Sequence, residues 1–169
     1  RLAAATSSCG MCGSTALAAL RARIAPIPVG AAWPVDLLAA VPASVLPEQL
    51  LFETTGGVHA AAAFDRNGQI VVVREDIGRH NAVDKVVGRL LLDDALPATD
   101  LALYISGRAG FEIVQKAWAA GFSAVVAVSA PSALAVEAAR LAGITLVGFV
   151  RTPGAGTPTC NLYSPISAR

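Results

Sequence analysis

The chain has few cysteines, little charge and no long apolar run, and each of these absences excludes a class of protein. Its 169 residues include three cysteines, an odd and low number that does not fit a secreted domain held by disulfides. We therefore expect a reducing, cytoplasmic location. Charged residues make up 15% of the chain and the net charge is +1, so the sequence shows no global electrostatic attraction to nucleic acid or anionic membranes.

The hydrophobic content is high, at 54%, which excludes a disordered chain and gives a domain of this length a sizeable core. The longest apolar run, over residues 122–136, is interrupted by serines and a proline and is too short to span a membrane. We expect neither nucleic acid nor a membrane among the partners. The sequence begins at Arg1, close to its cysteine pair, and we expect residues to be missing ahead of it.

Strand and helix patterns alternate from residue 58 onwards. Two strands are predicted at residues 58–64 and 70–74, and the Asn67-Gly68 pair between them is typical of a hairpin. A helix with one apolar face follows Gly78, with Asn81 as its expected N-cap and Asp84 placed to complete a capping box. Continuous apolar runs then alternate with helices, which is typical of a parallel sheet buried on both faces.

The predicted fold class is α/β, a three-layer α/β/α mixed sheet with an antiparallel hairpin followed by β-α-β-α-β. Residues 47–169 are expected to form this domain, with a short helix at residues 47–55 and the last strand at residues 144–150. Residues 1–46 are expected to be a cysteine-bearing lead-in. It holds a short helix at residues 15–23, after which several prolines favour an irregular, extended segment.

Polar residues follow the predicted parallel strands, at the sheet edge where α/β proteins bind ligands. They are Ser106-Gly107-Arg108, Ser129-Ala130-Pro131-Ser132 and Phe149-Val150-Arg151-Thr152-Pro153-Gly154. Helix N-termini and arginine side chains both bind phosphate, so a phosphate-bearing ligand is one interpretation of this edge. The alternative is that the hydroxyl residues are only helix caps and the arginines only make surface ion pairs.

Residues 74–81 concentrate charged groups in a chain that has few of them. Arg79 and His80 lie at the start of the predicted helix, where a histidine can be a proton donor, a ligand or an ordinary first-turn residue. The same alternatives are open for His59. No order of serine, histidine and aspartate in the sequence indicates a hydrolase triad.

The segment Cys9-Gly10-Met11-Cys12-Gly13 places two thiols two residues apart between glycines. Such a pair lowers the pKa of one thiol, and the thiolate is the reactive form. The alternatives are a structural disulfide, half of a zinc site, two ordinary small residues without a role, and a dithiol redox pair. A zinc site would need two further ligands, for which the sequence offers only Cys160, His59 and His80, and we expect no metal. No predicted strand precedes Cys9, as one would in a thioredoxin-like site.

The order of hairpin, strands and helices resembles the cytidine deaminase fold. Deaminases carry a His or Cys beside a catalytic Glu at one helix start and Pro-Cys-x-x-Cys at the next. This chain has Arg79-His80-Asn81 and Ser106-Gly107-Arg108 at those places. The resemblance is therefore to the fold without its zinc.

Six motifs spread along the chain resemble the formate dehydrogenase accessory sulfurtransferase family of the FdhD type. They are Ser8-Cys9-Gly10-Met11-Cys12-Gly13, Thr55-Gly56-Gly57-Val58-His59-Ala60-Ala61, the block from Arg74 to Lys85, Ser106-Gly107-Arg108, Val128-Ser129-Ala130-Pro131-Ser132 and Leu146-Val147-Gly148-Phe149-Val150-Arg151. The resemblance covers nearly the whole chain. It lacks the N-terminal portion that family members carry ahead of the cysteine loop.

The resemblance implies a sulfur carrier that takes persulfide sulfur from a cysteine desulfurase. The sulfur passes to the bis-molybdopterin guanine dinucleotide cofactor of formate dehydrogenase, and the protein works as a homodimer. Cys9 matches the persulfide-bearing residue, with Cys12 as its partner. Residues 149–154 match the cofactor-binding region, and Ser106, Arg108, Ser129, Arg79 and His80 are further candidates. A cofactor-binding chaperone without sulfur relay and a dithiol oxidoreductase remain as alternatives.

Overall fold

The computed structural model describes residues 14–28, 30–152 and 156–164. Its helices are α1 (Ser14–Arg21), α2 (Val35–Val45), α3 (Leu50–Thr55), α4 (Arg79–Leu92), α5 (Phe111–Ala120) and α6 (Ala133–Ala142), with a single 3-10 turn at Leu46–Glu48. Its strands are β1 (His59–Phe64), β2 (Ile70–Asp76), β3 (Ala102–Ile105), β4 (Ala124–Ala127), β5 (Thr145–Arg151) and β6 (Thr159–Ser164). The elements predicted at residues 15–23 and from residue 47 to residue 150 are confirmed, with shifts of a few residues at their ends.

The strands form one six-stranded sheet in the order β2-β1-β3-β4-β5-β6. β1 pairs antiparallel with β2 and with β3, whereas β3, β4 and β5 run parallel to one another. β6 then pairs antiparallel with β5 at the far edge. The mixed sheet predicted from the sequence, a hairpin followed by β-α-β-α-β, is therefore confirmed.

Helices cover both faces of the sheet, so the molecule has three layers. On one face, Val83 of α4, Ile113 of α5 and Ala138 of α6 pack against the strands. On the other face, α2 packs Leu38 and Val41 against a second set of strand residues. Successive strand residues point to opposite faces, and the apolar strand sequences, buried on both sides, follow from that alternation.

Two elements differ from the sequence prediction. Residues 35–45 lie in the lead-in expected to be irregular, yet they form α2, which buries Leu38, Val41 and Val45. Pro34 occupies the N-cap position and Pro42 lies inside the helix. The prolines therefore gave a misleading signal, because burial of the apolar face outweighs the hydrogen bond lost at Pro42.

The strand at residues 144–150 is not the last one. β6 follows it after a segment rich in glycine and proline, and its burial is mostly low because it lies at the sheet edge. A half-exposed edge strand carries no continuous apolar run, so the pattern that revealed the parallel strands does not reveal this one.

Candidate functional site

Two adjoining cavities lie at the carboxyl ends of the parallel strands. The first has a volume of about 450 Å³ and is lined by His59, Ser106 and the loop at Gly56-Gly57. The second has a volume of about 510 Å³ and is lined by Val150, Arg151 and Thr152. The two share Leu46, Gln49, Tyr104 and Val128, and they therefore form one continuous depression, which we call the edge groove.

Two buried polar side chains lie in the otherwise mainly apolar lining of the edge groove, although the sequence gave little sign of them. Tyr104 on β3 is 3% exposed and Gln49, just before α3, is 5% exposed. Burial raises the pKa of Tyr104 to about 12, against the opposing effect of its hydrogen bond with Gln49. The phenol is therefore neutral at physiological pH and can donate a hydrogen bond. The signal available in the sequence was one hydroxyl within the otherwise apolar run of residues 101–105.

At the first end of the edge groove, Ser106 and His59 lie side by side. The Ser106 hydroxyl oxygen accepts a hydrogen bond from the Ala60 amide at 2.9 Å and lies 3.4 Å from His59 Nδ1. Arg79 comes close to the same place, because a Cβ on Gly107 would lie 3.3 Å from Arg79 Cδ and 3.4 Å from His59 Nδ1. The structure thus brings together two predicted site residues, Ser106 and Arg79, with a histidine that the sequence left ambiguous.

His80, the other predicted residue at this helix start, lines neither cavity of the edge groove. Burial and the neighbouring Arg79 lower the pKa of His80, and its backbone carbonyl lies 3.4 Å from Lys116 Nζ. The expected N-cap at Asn81 is wrong. The N-cap is Gly78, three residues earlier, and Asp84 pairs with Lys116 at 2.6 Å instead of completing a capping box.

At the other end of the edge groove, Arg151 is held against the strand ends. Its Nη1 donates to the carbonyl of Val128 at 2.5 Å and to that of Val150 at 2.9 Å. Thr152 donates from its hydroxyl to the Ala39 carbonyl at 3.4 Å. The guanidinium is thus oriented by backbone acceptors while its residue stays exposed, an arrangement that suits recognition of an anion.

Phe149 has an unusual backbone in this segment. Its φ is +53°, in the left-handed region that a bulky side chain rarely adopts, and the register of β5 against β6 is irregular between Gly148 and Arg151. The Phe149 amide donates to the Ser129 carbonyl at 3.3 Å, and its ring is 39% exposed. Ser129 thus meets this segment through its backbone.

The remaining predicted residues do not add to the edge groove. Arg108 is exposed and has no hydrogen bond or ion pair with other residues that the structure describes. Pro153 and Gly154 fall outside the described residues, as do Cys9 and Cys12.

The charged block at residues 74–81 holds α3 in place beside the edge groove. The Glu75 carboxylate accepts hydrogen bonds from the amides of Leu51 and Phe52, both at 2.8 Å, and so caps α3. Lys85 donates to the Glu75 carbonyl at 2.9 Å and pairs with Asp76 at 2.6 Å. Since Phe52 of α3 lines the first cavity, these contacts fix the position of that side of the cavity.

We expect the Asp76 brace to give the protein an acid-sensitive part of its stability. The hydrogen bond from Lys85, followed by those from Gly78 and Asn81, lowers the pKa of Asp76 from 3.8 to about 2. A lowered folded-state pKa stabilises the fold above the unfolded value, and this contribution is lost as the pH falls from 3.8 through about 2. The free energy of unfolding in urea should be measured for Asp76→Asn and for the parent chain at several pH values. At neutral pH the variant should be less stable than the parent, and its stability should fall less steeply as the pH drops from 3.8 through about 2.

Asp93→Asn is the matched control for this prediction. It removes the same charge from an exposed ion pair, which Asp93 at the C-terminal end of α4 makes with Arg89 of that helix. If the free energy of unfolding of Asp76→Asn falls with decreasing pH as steeply as that of the parent, Asp76 does not contribute the acid-sensitive part of the stability.

No group of three or more His, Cys, Asp or Glu side chains that could hold a metal ion occurs within residues 14–28, 30–152 and 156–164. Over the same part of the chain, none of the helices has the length and apolar character needed to cross a membrane.

Comparison with known proteins gives the family. The model of the FdhD/NarQ family matches residues 1–167. The chain belongs to the FdhD/NarQ family. This match covers the cysteine pair, the charged block and the strand ends together, so the family resemblance seen in the motifs is confirmed.

Two relatives named sulfur carrier protein FdhD show the extent of the similarity. The chain is 51% identical over 161 residues to the sulfur carrier protein FdhD of Nocardia farcinica, covering 94% of this chain and 56% of that protein. It is 43% identical over 145 residues to the sulfur carrier protein FdhD of Saccharolobus solfataricus, covering 86% and 55%. The chain thus spans a little over half the length of these relatives.

A solved structure shares the fold. The crystal structure of a protein assigned as a formate dehydrogenase accessory protein, from Desulfotalea psychrophila, matches with a TM-score of 0.72 and 29% identity. The match covers 86% of this chain and 59% of that one. The six-stranded mixed sheet is therefore an architecture found within the FdhD/NarQ family.

Proposed function

We propose that the chain is the core of a sulfur carrier that serves formate dehydrogenase maturation. The observation that carries this proposal is the family match over residues 1–167, which includes both Cys9 and Cys12, together with relatives that bear the name sulfur carrier protein. The edge groove supports it, because it supplies a mainly apolar surface with a few polar groups and Arg151, at the sheet edge where a large cofactor can bind.

In this proposal, sulfur reaches the chain by persulfide exchange with a cysteine desulfurase. The Cys9 thiolate attacks the outer sulfur of the desulfurase persulfide, and the desulfurase cysteine leaves as a thiolate. One sulfur–sulfur bond breaks and one forms, so the exchange needs no oxidant or reductant. The Cys12 thiolate then attacks the inner sulfur of the Cys9 persulfide, so that hydrosulfide leaves towards the cofactor and a Cys9–Cys12 disulfide forms. A cellular dithiol reductant supplies the two electrons that restore both thiols before the next round.

The substrate that receives the sulfur is the bis-molybdopterin guanine dinucleotide cofactor, which formate dehydrogenase later takes up. Two features of the edge groove and one residue next to it in the chain fit such a molecule. The neutral phenol of Tyr104 and the amide of Gln49 can bond the polar edge of a base, and Arg151 can bind a phosphate. The exposed ring of Phe149, which precedes Val150 of the groove lining, offers a stacking surface. Val150, Thr152, Pro153 and Gly154 complete the proposed cofactor-binding segment. Ser106, Arg108, Ser129, Arg79 and His80 remain further candidates around it.

The proposed setting is the cytoplasm, and the proposed assembly is a homodimer. The low cysteine count and a chemistry that uses free thiolates both favour a reducing compartment. A two-fold assembly would match a cofactor that carries two guanine dinucleotide arms, one for each edge groove.

Sulfur loading tests the proposal directly. After incubation of the full chain with a cysteine desulfurase and cysteine, we expect the intact mass to rise by one sulfur atom, and Cys9→Ala to abolish this gain. Cys160→Ala is the matched control, because Cys160 is half-buried on β6 and burial raises the pKa of its thiol, which keeps it protonated.

Equal loading of Cys9→Ala and the parent chain would contradict the relay role of Cys9. A second assay uses cells that lack their own copy of this protein. If a variant with both Cys9→Ala and Cys12→Ala still restores formate dehydrogenase activity there, the chain acts as a cofactor-binding chaperone without sulfur relay.

A further inference from the structure

α3 supplies Phe52 to the lining of the edge groove, although none of its six residues is buried. Leu50 and Leu51 at its start are 66% and 53% exposed. A helix of six residues is too short to be stable by itself in water, and α3 gains little from apolar burial. Its position beside the edge groove therefore depends on polar contacts with the rest of the domain.

The residue that would ordinarily cap α3 is engaged elsewhere. Gln49 is the N-cap, and its side chain makes no hydrogen bond with the first turn of the helix. Gln49 is instead 5% exposed and hydrogen-bonded with Tyr104 in the lining of the edge groove. Burial raises the pKa of Tyr104 and this bond opposes the rise, so the Gln49 amide donates to the phenol oxygen. The side chain of Gln49 thus belongs to the groove and leaves the helix start to another cap.

Glu75 on β2 supplies that cap. Its two carboxylate oxygens accept one amide each, from Leu51 and Phe52, both at 2.8 Å. Such charge-assisted bonds are stronger than neutral ones, and a negative charge at a helix N-terminus also complements the helix dipole. Glu75 is itself held, because Lys85 Nζ donates to its backbone carbonyl at 2.9 Å. A strand residue 24 positions from Leu51 therefore fixes the start of α3.

We propose that Glu75 is a positioning residue of the edge groove, which caps α3 in place of Gln49 and so leaves the Gln49 side chain to the groove. A glutamine whose side chain bonded the first turn of α3 could not also bond Tyr104, and the groove would lose one of its two buried polar side chains. That Gln49 then binds the polar edge of the cofactor rests on the proposed function. The capping by Glu75 rests on the contacts alone.

Amide hydrogen exchange of the full chain, measured by NMR, tests whether Glu75 holds α3. The amides of Glu53 and Gly56 bond to backbone carbonyls of α3 and its N-cap, so they report on the helix itself. In Glu75→Ala both should exchange roughly tenfold faster or more, because the helix loses two charge-assisted bonds. Glu48→Ala is the matched control, since it removes the same carboxylate from an exposed residue two positions before α3, and both amides should exchange as in the parent.

A double variant separates positioning of Gln49 from simple stabilisation of α3. Gln49→Asp combined with Glu75→Ala gives α3 a cap of its own, because aspartate is a strong N-cap residue, and removes the glutamine amide from the groove. Hydrogen exchange in α3 should then slow again towards the parent rate. Restoration of formate dehydrogenase activity, in cells that lack their own copy of this protein, should be at least about tenfold lower than with the parent for both Glu75→Ala and the double variant. Glu48→Ala should restore it like the parent.

Three results would overturn the proposal. They are equal hydrogen exchange in Glu75→Ala and Glu48→Ala, full restoration of activity by Glu75→Ala, and recovery of activity in the double variant, which would mean that the glutamine amide is not needed. If Glu75→Ala does not fold, as judged by circular dichroism, Glu75→Gln, which keeps one acceptor, takes its place with a smaller expected increase in exchange. A parent chain that neither takes up sulfur nor restores activity contradicts the proposed function, and the exchange rates still decide whether Glu75 positions α3.

Discussion

Replacement of Trp118 with alanine is expected to lower the free energy of unfolding by about 3–5 kcal/mol. Trp118 on α5 is 1% exposed and has the largest volume among the fully buried side chains of the described residues. Alanine removes its apolar surface from the core and leaves a cavity that the surrounding side chains fill only in part. Urea unfolding followed by circular dichroism gives the measurement.

Trp118 also fastens the chain that leads back towards the cysteine pair. Its indole Nε1 donates to the Ala25 carbonyl at 2.7 Å, in the segment between α1 and α2. Trp118→Phe keeps most of the apolar volume and removes this bond, so it should cost about 0.5–1.5 kcal/mol for the bond, plus a smaller packing loss. A cost below about 1 kcal/mol for Trp118→Ala would contradict the burial described for this side chain.

Residues before and after Ala25 also contact the core of the domain. The Ile27 amide donates to the Ala142 carbonyl at the end of α6, at 2.8 Å, and Leu17 and Leu20 of α1 are buried in the core on that face. α1 therefore packs on the α5–α6 side of the sheet, while α2 covers the other side. The lead-in is thus a bound part of the domain from Ser14 onwards, in contrast to the loosely attached segment expected from its prolines.

The sheet could be predicted because each of its signals is local. Apolar strands buried on both faces have continuous apolar sequences, and the glycines that end α5 and α6, Gly121 and Gly143, have φ values of +86° and +76° that disfavour other residues. The hairpin is equally local, since the Asp65 carboxylate accepts the amides of Asn67 and Gln69 within the turn itself.

The edge groove could be predicted only in part, because it depends on contacts between distant residues. Ser106 and Arg151 were found from the sequence because ligands of α/β proteins bind at the carboxyl ends of the parallel strands. The position of the strand ends gave no reason to choose Gln49 or Tyr104, which lie far apart in the sequence and meet through a side-chain hydrogen bond. In the Arg74–Lys85 block the sequence pointed to Arg79 and His80 as candidates, and it did not reveal that Glu75 caps α3 and that Asp76 pairs with Lys85. A cluster of charged residues in an apolar chain indicates that these side chains have ion-pair or hydrogen-bond partners. The fold is needed to identify those partners.

Gly148 is the glycine of β5, and a side chain there would disturb the proposed cofactor-binding segment that follows it. A Cβ there would lie 2.9 Å from Pro131 Cδ, 3.1 Å from the Ser129 carbonyl oxygen and 3.2 Å from Tyr163 Cε2. The Ser129 carbonyl cannot move away freely, because it accepts the amide of Phe149. We expect Gly148→Ala to destabilise the fold by about 1–3 kcal/mol through overpacking.

Gly88→Ala is the matched control, and it should have the opposite sign. Gly88 lies within α4, and apart from its neighbours in the helix backbone no atom lies within 4 Å of its Cβ position, so alanine should stabilise the fold by about 0.5–1 kcal/mol through helix propensity alone. Both free energies come from urea unfolding at the same pH. Equal effects of the two substitutions would mean that β5 and the Ser129–Pro131 turn are not in close contact. Opposite effects would show that glycine is required at residue 148 for that contact, which also sets the position of Phe149 and Arg151 in the proposed cofactor-binding segment.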